Sequence, residues 1–183
     1  MKNFWNSMNL PNKLTLLRVA MIPLFVVAVL LSANSGGWKI AALIIFIVAS
    51  LTDTLDGYIA RSRNLVTNFG KFADPLADKL LGCSALICFV GLGSLPAWVC
   101  IIIMSREFII SGFRLIAAEK GIVIAASKWG KAKTISQMIT CCLLIINQPH
   151  IAWLNYTMIV IMTLLTVISL VDYIIKNKDV LKD

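Results

Sequence analysis

A chain of 183 residues that is 59% hydrophobic and only 14% charged, with a mean hydropathy of +0.87, has too little polar surface to be an ordinary soluble domain. Its net charge of +8 suits contact with anionic lipid and phosphorylated small molecules, and nothing in the pattern suggests nucleic acid. The composition describes an all-α integral membrane protein, read as one transmembrane domain over residues 1–183 without repeats or low-complexity tracts.

Residues 1–12 form a short N-terminal juxtamembrane segment. Phe4, Trp5 and Met8 beside Lys2 suit either an interfacial amphipathic stretch or a disordered tail. Apolar runs at 14–33, 38–60, 76–93, 95–117, 134–148 and 151–175 then predict six transmembrane helices, most near the ~20 residues a span requires. The first run carries Arg18 within its opening turns and is long enough to span, so it reads as a retained helix and not a cleaved signal. Pro75 disfavours helical geometry at Asp74, so the third helix is expected to begin there or to be irregular. The fifth run is short, and the reading extends it back through Lys131 toward Lys128.

Connections near Ser32–Gly37, Gly91–Pro96 and Asn147–His150 carry no Lys or Arg. Placing both termini in the cytoplasm therefore puts all of the 17 Lys and Arg except Lys39 on or toward that side. Trp5, Trp38, Trp98, Trp129 and Trp153 fall near helix ends, where interfacial belts form. Cys83, Cys88, Cys100, Cys141 and Cys142 lie in apolar helix without zinc-ligand spacing and read as small packing residues, and His150 reads as loop surface.

Four of the nine acidic residues, Asp53, Asp56, Asp74 and Asp78, fall between positions 53 and 78. Carboxylates are costly in an apolar setting unless a positive partner compensates them. Asp53 and Asp56 are three apart, Asp74 and Asp78 four apart, so on helices each pair shares a face. Such an oxygen-rich pair of helix ends suits a hard cation such as Mg2+, which commonly bridges carboxylates to a substrate phosphate. Gly57, Ala60 and Gly70 remove side-chain bulk beside the acids and leave room for a ligand.

The full pattern, Asp53-x2-Asp56-Gly57-x2-Ala60-Arg61-x8-Gly70-x3-Asp74-x3-Asp78, resembles the signature of the CDP-alcohol phosphatidyltransferase family at every position. The resemblance implies a phosphatidyl transfer from a CDP-linked lipid to an alcohol, releasing CMP, with Mg2+ or Mn2+, two per active site. It makes Asp53, Asp56, Asp74 and Asp78 metal ligands and Asp78 also the general base. It places Gly57, Ala60, Gly70 and Arg61 at the nucleotide, although Arg61 alone would also fit an interfacial anchor. It further implies a homodimer, set in a bacterial cytoplasmic membrane with the active site facing the cytoplasm.

The acceptor is the finer question. Asn9-Leu10-Pro11-Asn12-Lys13-Leu14-Thr15-x2-Arg18 and Ser105-Arg106-Glu107 resemble family members that use CDP-diacylglycerol and glycerol 3-phosphate. Asn12 and Thr15 are accordingly placed at the nucleotide site, or alternatively cap and anchor the first helix. Arg106, Arg114, Lys131 and Lys133 are candidates for the acceptor phosphate, against the alternative of simple positive-inside anchoring. Arg106 is expected to pair across helices or to bind an anion, because adjacent Glu107 points elsewhere on the same helix. Inositol phosphate or phosphatidylglycerol would be the other acceptors. A divalent-cation transporter and a lipid-binding scaffold are the readings from other classes, the former disfavoured because the charges stop on one side of the bilayer.

Overall fold

The computed structural model describes residues 9–33, 35–62, 68–122, 124–125 and 127–178, the side chains of 53–62 and 68–72 excepted. The predicted juxtamembrane stretch lies almost wholly outside the described residues. The described residues form six α-helices: α1 (Leu10–Leu31), α2 (Gly36–Ser62), α3 (Asn68–Gly91), α4 (Ala97–Glu119), α5 (Lys128–Ile146) and α6 (Ala152–Asn177), with a 3-10 turn at Pro149–Ile151 before the last. No strand occurs among the described residues. The chain forms two compact units, Met1–Cys88 and Phe89–Asp183, whose boundary falls within α3.

In the first unit α1 starts earlier than its apolar run because its polar first turn is capped. The Asn9 side chain accepts from the Asn12 backbone N–H at 3.2 Å, and Pro11 sits where a missing N–H costs nothing. Helix α2 continues to Ser62 and so carries Asp53, Asp56, Gly57, Ala60 and Arg61 in its last turns. The expectation for α3 is corrected: it begins at Asn68 and runs through Pro75 without a break. Proline removes one N–H, the donor the Lys71 carbonyl would have used, but a helix this long keeps its other bonds. Small residues let these helices approach closely: Ala28, Ala42, Ala49, Ala77 and Ala85 are all buried, and the Phe25 and Phe46 rings meet at 5.6 Å.

In the second unit α4 ends in a Schellman motif. Gly121 has φ +71°, the Ile122 N–H donates to the Ala117 carbonyl at 2.8 Å and the Gly121 N–H to the Ala118 carbonyl at 3.1 Å. Helix α5 begins at Lys128, the backward extension expected from sequence, because the Ser127 side chain accepts from the Gly130 N–H at 3.0 Å. It stops at Asn147, whose left-handed φ of 39° Asn tolerates better than most residues. Helix α6 packs on both α4 and α5.

The distribution of polarity is that of a membrane protein. Thr140, Asn155, Thr166 and Ser169 are buried, while Leu24, Ile101, Phe108 and Leu115 are exposed. Several helix hydroxyls are satisfied by their own backbone, Thr140 donating to the Ser136 carbonyl and Thr166 to the Met162 carbonyl, both at 2.7 Å. That solution suits a helix in lipid, where no water completes a hydroxyl's bonding. Two stretches, Leu10–Leu31 and Pro149–Asn177, are long and apolar enough on their own to cross a bilayer. All five cysteines are free thiols, and His150 is exposed in the 3-10 turn.

Candidate active site

Helix α1 buries one face along its whole length, and that face changes character. Asn12, Thr15 and Arg18 occupy it near the N-terminus; Ile22, Phe25 and Val29 occupy it further on. The 3- and 4-residue spacing puts all six on one stripe. The polar end meets α3: the Thr15 hydroxyl donates to Asp74 Oδ1 at 2.5 Å. Thr15 is almost fully buried and Asp74 half-buried. Arg18, one turn beyond Thr15, is completely buried. Asp78 lies one turn after Asp74 on α3 and is exposed.

The structure thus brings Asn12 and Thr15 to the face of α1 that meets the third signature aspartate. Asp53, Asp56, Gly57, Ala60 and Arg61 lie on the last turns of α2 and Gly70 on the first turn of α3, with their side chains outside the described residues. Among the described residues no three His, Cys, Asp or Glu side chains gather. What is described of the acidic segment fits a hard divalent cation. The donors are carboxylate oxygens, and a neutral hydroxyl holds Asp74 without cancelling its charge.

The second unit contains a different polar centre. Arg106 is buried, its Nε donates to Ser169 Oγ on α6 at 3.0 Å, and its Nη1 donates to Glu107 Oε1 at 3.0 Å. Lys133, reaching over from α5 and 2% exposed, donates to the same Glu107 oxygen and to Gln137 Oε1, the latter at 2.5 Å. The expectation that Arg106 and Glu107 could not meet is therefore corrected. Adjacent positions diverge by about 100° at Cβ, but a guanidinium on its long stem folds back to a carboxylate that a second cation also draws in. A Cβ at Gly130 would stand 3.4 Å from Arg106 Nη2, so that glycine lines the guanidinium.

The four basic candidates consequently divide. Arg106 and Lys133 join one buried cluster, two cations on one carboxylate, whereas Arg114 and Lys131 are exposed. Sequence reasoning missed Glu107, Gln137 and Ser169 as members of this cluster. The available signal for Glu107 was its position inside an apolar run, where a carboxylate asks for a cation. For Gln137 it was the four-residue spacing from Lys133.

The pattern describing the CDP-alcohol phosphatidyltransferases matches residues 8–171, and the chain belongs to that family. It is 43% identical over 188 aligned positions to the CDP-diacylglycerol–glycerol-3-phosphate 3-phosphatidyltransferase of Bacillus subtilis, covering 95% of this chain and 97% of that one. It is 39% identical to the protein of the same description from Haemophilus influenzae, with 96% of each chain covered. A probable phosphatidylglycerophosphate synthase of Mycobacterium tuberculosis is 41% identical over 91% of this chain and 80% of its own.

Proposed function

We propose that this protein transfers the phosphatidyl group of CDP-diacylglycerol to glycerol 3-phosphate, yielding phosphatidylglycerol phosphate and CMP. The observation that carries this reading is the end-to-end likeness to the Bacillus subtilis glycerol-3-phosphate phosphatidyltransferase, across a chain that keeps the whole aspartate signature. Bound divalent metal, Mg2+ or Mn2+, would neutralise the diphosphate and the charge that develops on it. Asp53, Asp56, Asp74 and Asp78 hold that metal on this reading, and Asp78 removes the proton from the acceptor hydroxyl. Gly57, Ala60, Arg61 and Gly70 receive the nucleotide.

The basic cluster supports an anionic acceptor. Arg106 and Lys133 meet at Glu107 on the same two helices, α4 and α5, that carry Arg114 and Lys131, and the latter two stand exposed to meet a phosphate. The charge asymmetry and the apolar exposed faces support six spans with both termini in the cytoplasm, and the family likeness supports a bacterial inner membrane.

The test is CMP release by the purified protein in detergent with CDP-diacylglycerol and Mg2+ or Mn2+. Glycerol 3-phosphate, inositol phosphate, phosphatidylglycerol and no acceptor are compared. Release that requires glycerol 3-phosphate is the expected result. Release driven by another alcohol would move the acceptor within the family, and none with any alcohol would favour transport or scaffolding.

A further inference from the structure

Thr15 is a different kind of residue from a nucleotide contact. It is 1% exposed, so almost none of its surface is available to a ligand. Its hydroxyl has a single proton and two acceptors within reach: the Pro11 carbonyl four residues back at 3.1 Å and Asp74 Oδ1 at 2.5 Å. The first is the ordinary back-bond of a helical threonine, to a carbonyl that the helix already supplies with a backbone donor. The second is the length expected of a hydroxyl donating to a charged oxygen, roughly twice as strong as a neutral bond. The proton therefore belongs to Asp74.

A carboxylate offers about four lone-pair sites, and this bond occupies one. It also fixes rotation of the Asp74 side chain from a neighbouring helix, through a β-branched residue whose own χ1 is stiff. Because the hydroxyl is neutral, the carboxylate stays fully charged, whereas an Arg or Lys in its place would compete with a cation. Second-layer donors of this type set the orientation of ligating groups in metal sites. We propose that Thr15 is a positioning residue for the divalent cation: it holds Asp74 Oδ1 so that the remaining lone pairs of the carboxylate face the metal. This rests on the reading of Asp74 as a metal ligand.

The experiment is a Mn2+ titration of the full chain in detergent, without nucleotide, following the free-Mn2+ electron paramagnetic resonance signal. Thr15→Val keeps the shape and removes the hydroxyl; it is expected to weaken Mn2+ binding about tenfold or more, within the range for lost outer-layer partners. Thr15→Ser is expected to restore affinity to within about threefold, since it returns the donor. CMP affinity at saturating Mn2+ is expected to stay unchanged in both. Wild-type Mn2+ affinity in Thr15→Val would overturn the proposal. So would unchanged Mn2+ affinity with weakened CMP binding, which assigns the hydroxyl to the nucleotide. If the valine variant is unstable, Thr15→Ala gives the same readout in a residue any helix accepts. Asp74→Asn is the control for the underlying reading: if it binds Mn2+ as well as wild type, the metal assignment itself fails and takes the proposal with it.

Discussion

The two units hold an acid in different ways. In Met1–Cys88 the polar stripe of α1 reaches an acid, Asp74, through a neutral hydroxyl; in Phe89–Asp183 two buried cations converge on one acid, Glu107. A carboxylate held by a hydroxyl retains its charge, whereas one set between Arg106 and Lys133 has its charge answered internally. The first arrangement is suited to taking up a cation. The second ties α4 and α5 together through one acid and two cations. On the proposed reading they serve the metal-bound donor and the phosphorylated acceptor, and the difference between them predicts different failures on mutation.

The largest expected effect is in the first unit. Asp78→Asn keeps the size of the side chain and removes its basicity, so kcat for CMP release should fall by about 10²–10⁴ while KM for glycerol 3-phosphate changes little. Because Asp78 is exposed, the thermal midpoint should stay near wild type. Wild-type turnover in this variant would remove Asp78 from the chemistry.

The second unit should instead respond through stability. Glu107→Gln leaves Arg106 and Lys133 buried without the carboxylate they share, a change expected to cost about 3 kcal/mol. Thermal unfolding in detergent measures it. Lys133→Met should cost less, since the carboxylate keeps Arg106 and the stem is replaced by an apolar one of similar length. If Glu107→Gln were as stable as wild type, the cluster would not be a buried ion pair, and the contrast between the units would collapse.

What the sequence revealed follows the same division. Apolar runs located the six described helices, because apolar residues are numerous and continuous. The runs alone start three helices late, at α1, α3 and α5, the last already extended back toward Lys128 from its basic residues, and for one reason: each helix begins with a polar turn or more that hydropathy reads as loop. Those are the turns that carry Asn12, Gly70 and Asp74, and Lys131 and Lys133. Asn9 and Ser127 were the local signs of an earlier start for α1 and α5, since each caps its helix by accepting a backbone N–H. The aspartate signature was legible because fixed spacing along a helix survives without knowledge of packing. The Glu107 cluster was not. It depends on α4, α5 and α6 meeting at one level and on a long side chain folding back, neither of which a linear pattern encodes.

A smaller effect separates the exposed basic residues from the buried ones. Arg114→Ala removes a solvent-facing guanidinium, so stability should be unchanged to within about 0.5 kcal/mol. If Arg114 holds the acceptor phosphate, KM for glycerol 3-phosphate should rise about tenfold with kcat largely kept, the loss expected of one charge-assisted bond. Unaltered acceptor kinetics would return Arg114 to positive-inside anchoring and leave the anion role to the buried pair.

The smallest effect tests how tightly that buried pair is held. Gly130→Ala places a methyl group 3.4 Å from Arg106 Nη2 and from Ser127 Oγ, which is ordinary contact and not overlap. The Gly130 N–H that Ser127 accepts is kept, so the cap of α5 survives. Alanine is the better helix former by up to about 1 kcal/mol, and less in a first turn. A gain of about 0.5 kcal/mol is therefore expected, with KM for glycerol 3-phosphate within twofold of wild type. A loss of stability would mean that the guanidinium fills the space beside Gly130 and cannot yield. The cation cluster of the second unit would then be as rigidly fixed as the Thr15–Asp74 pair of the first.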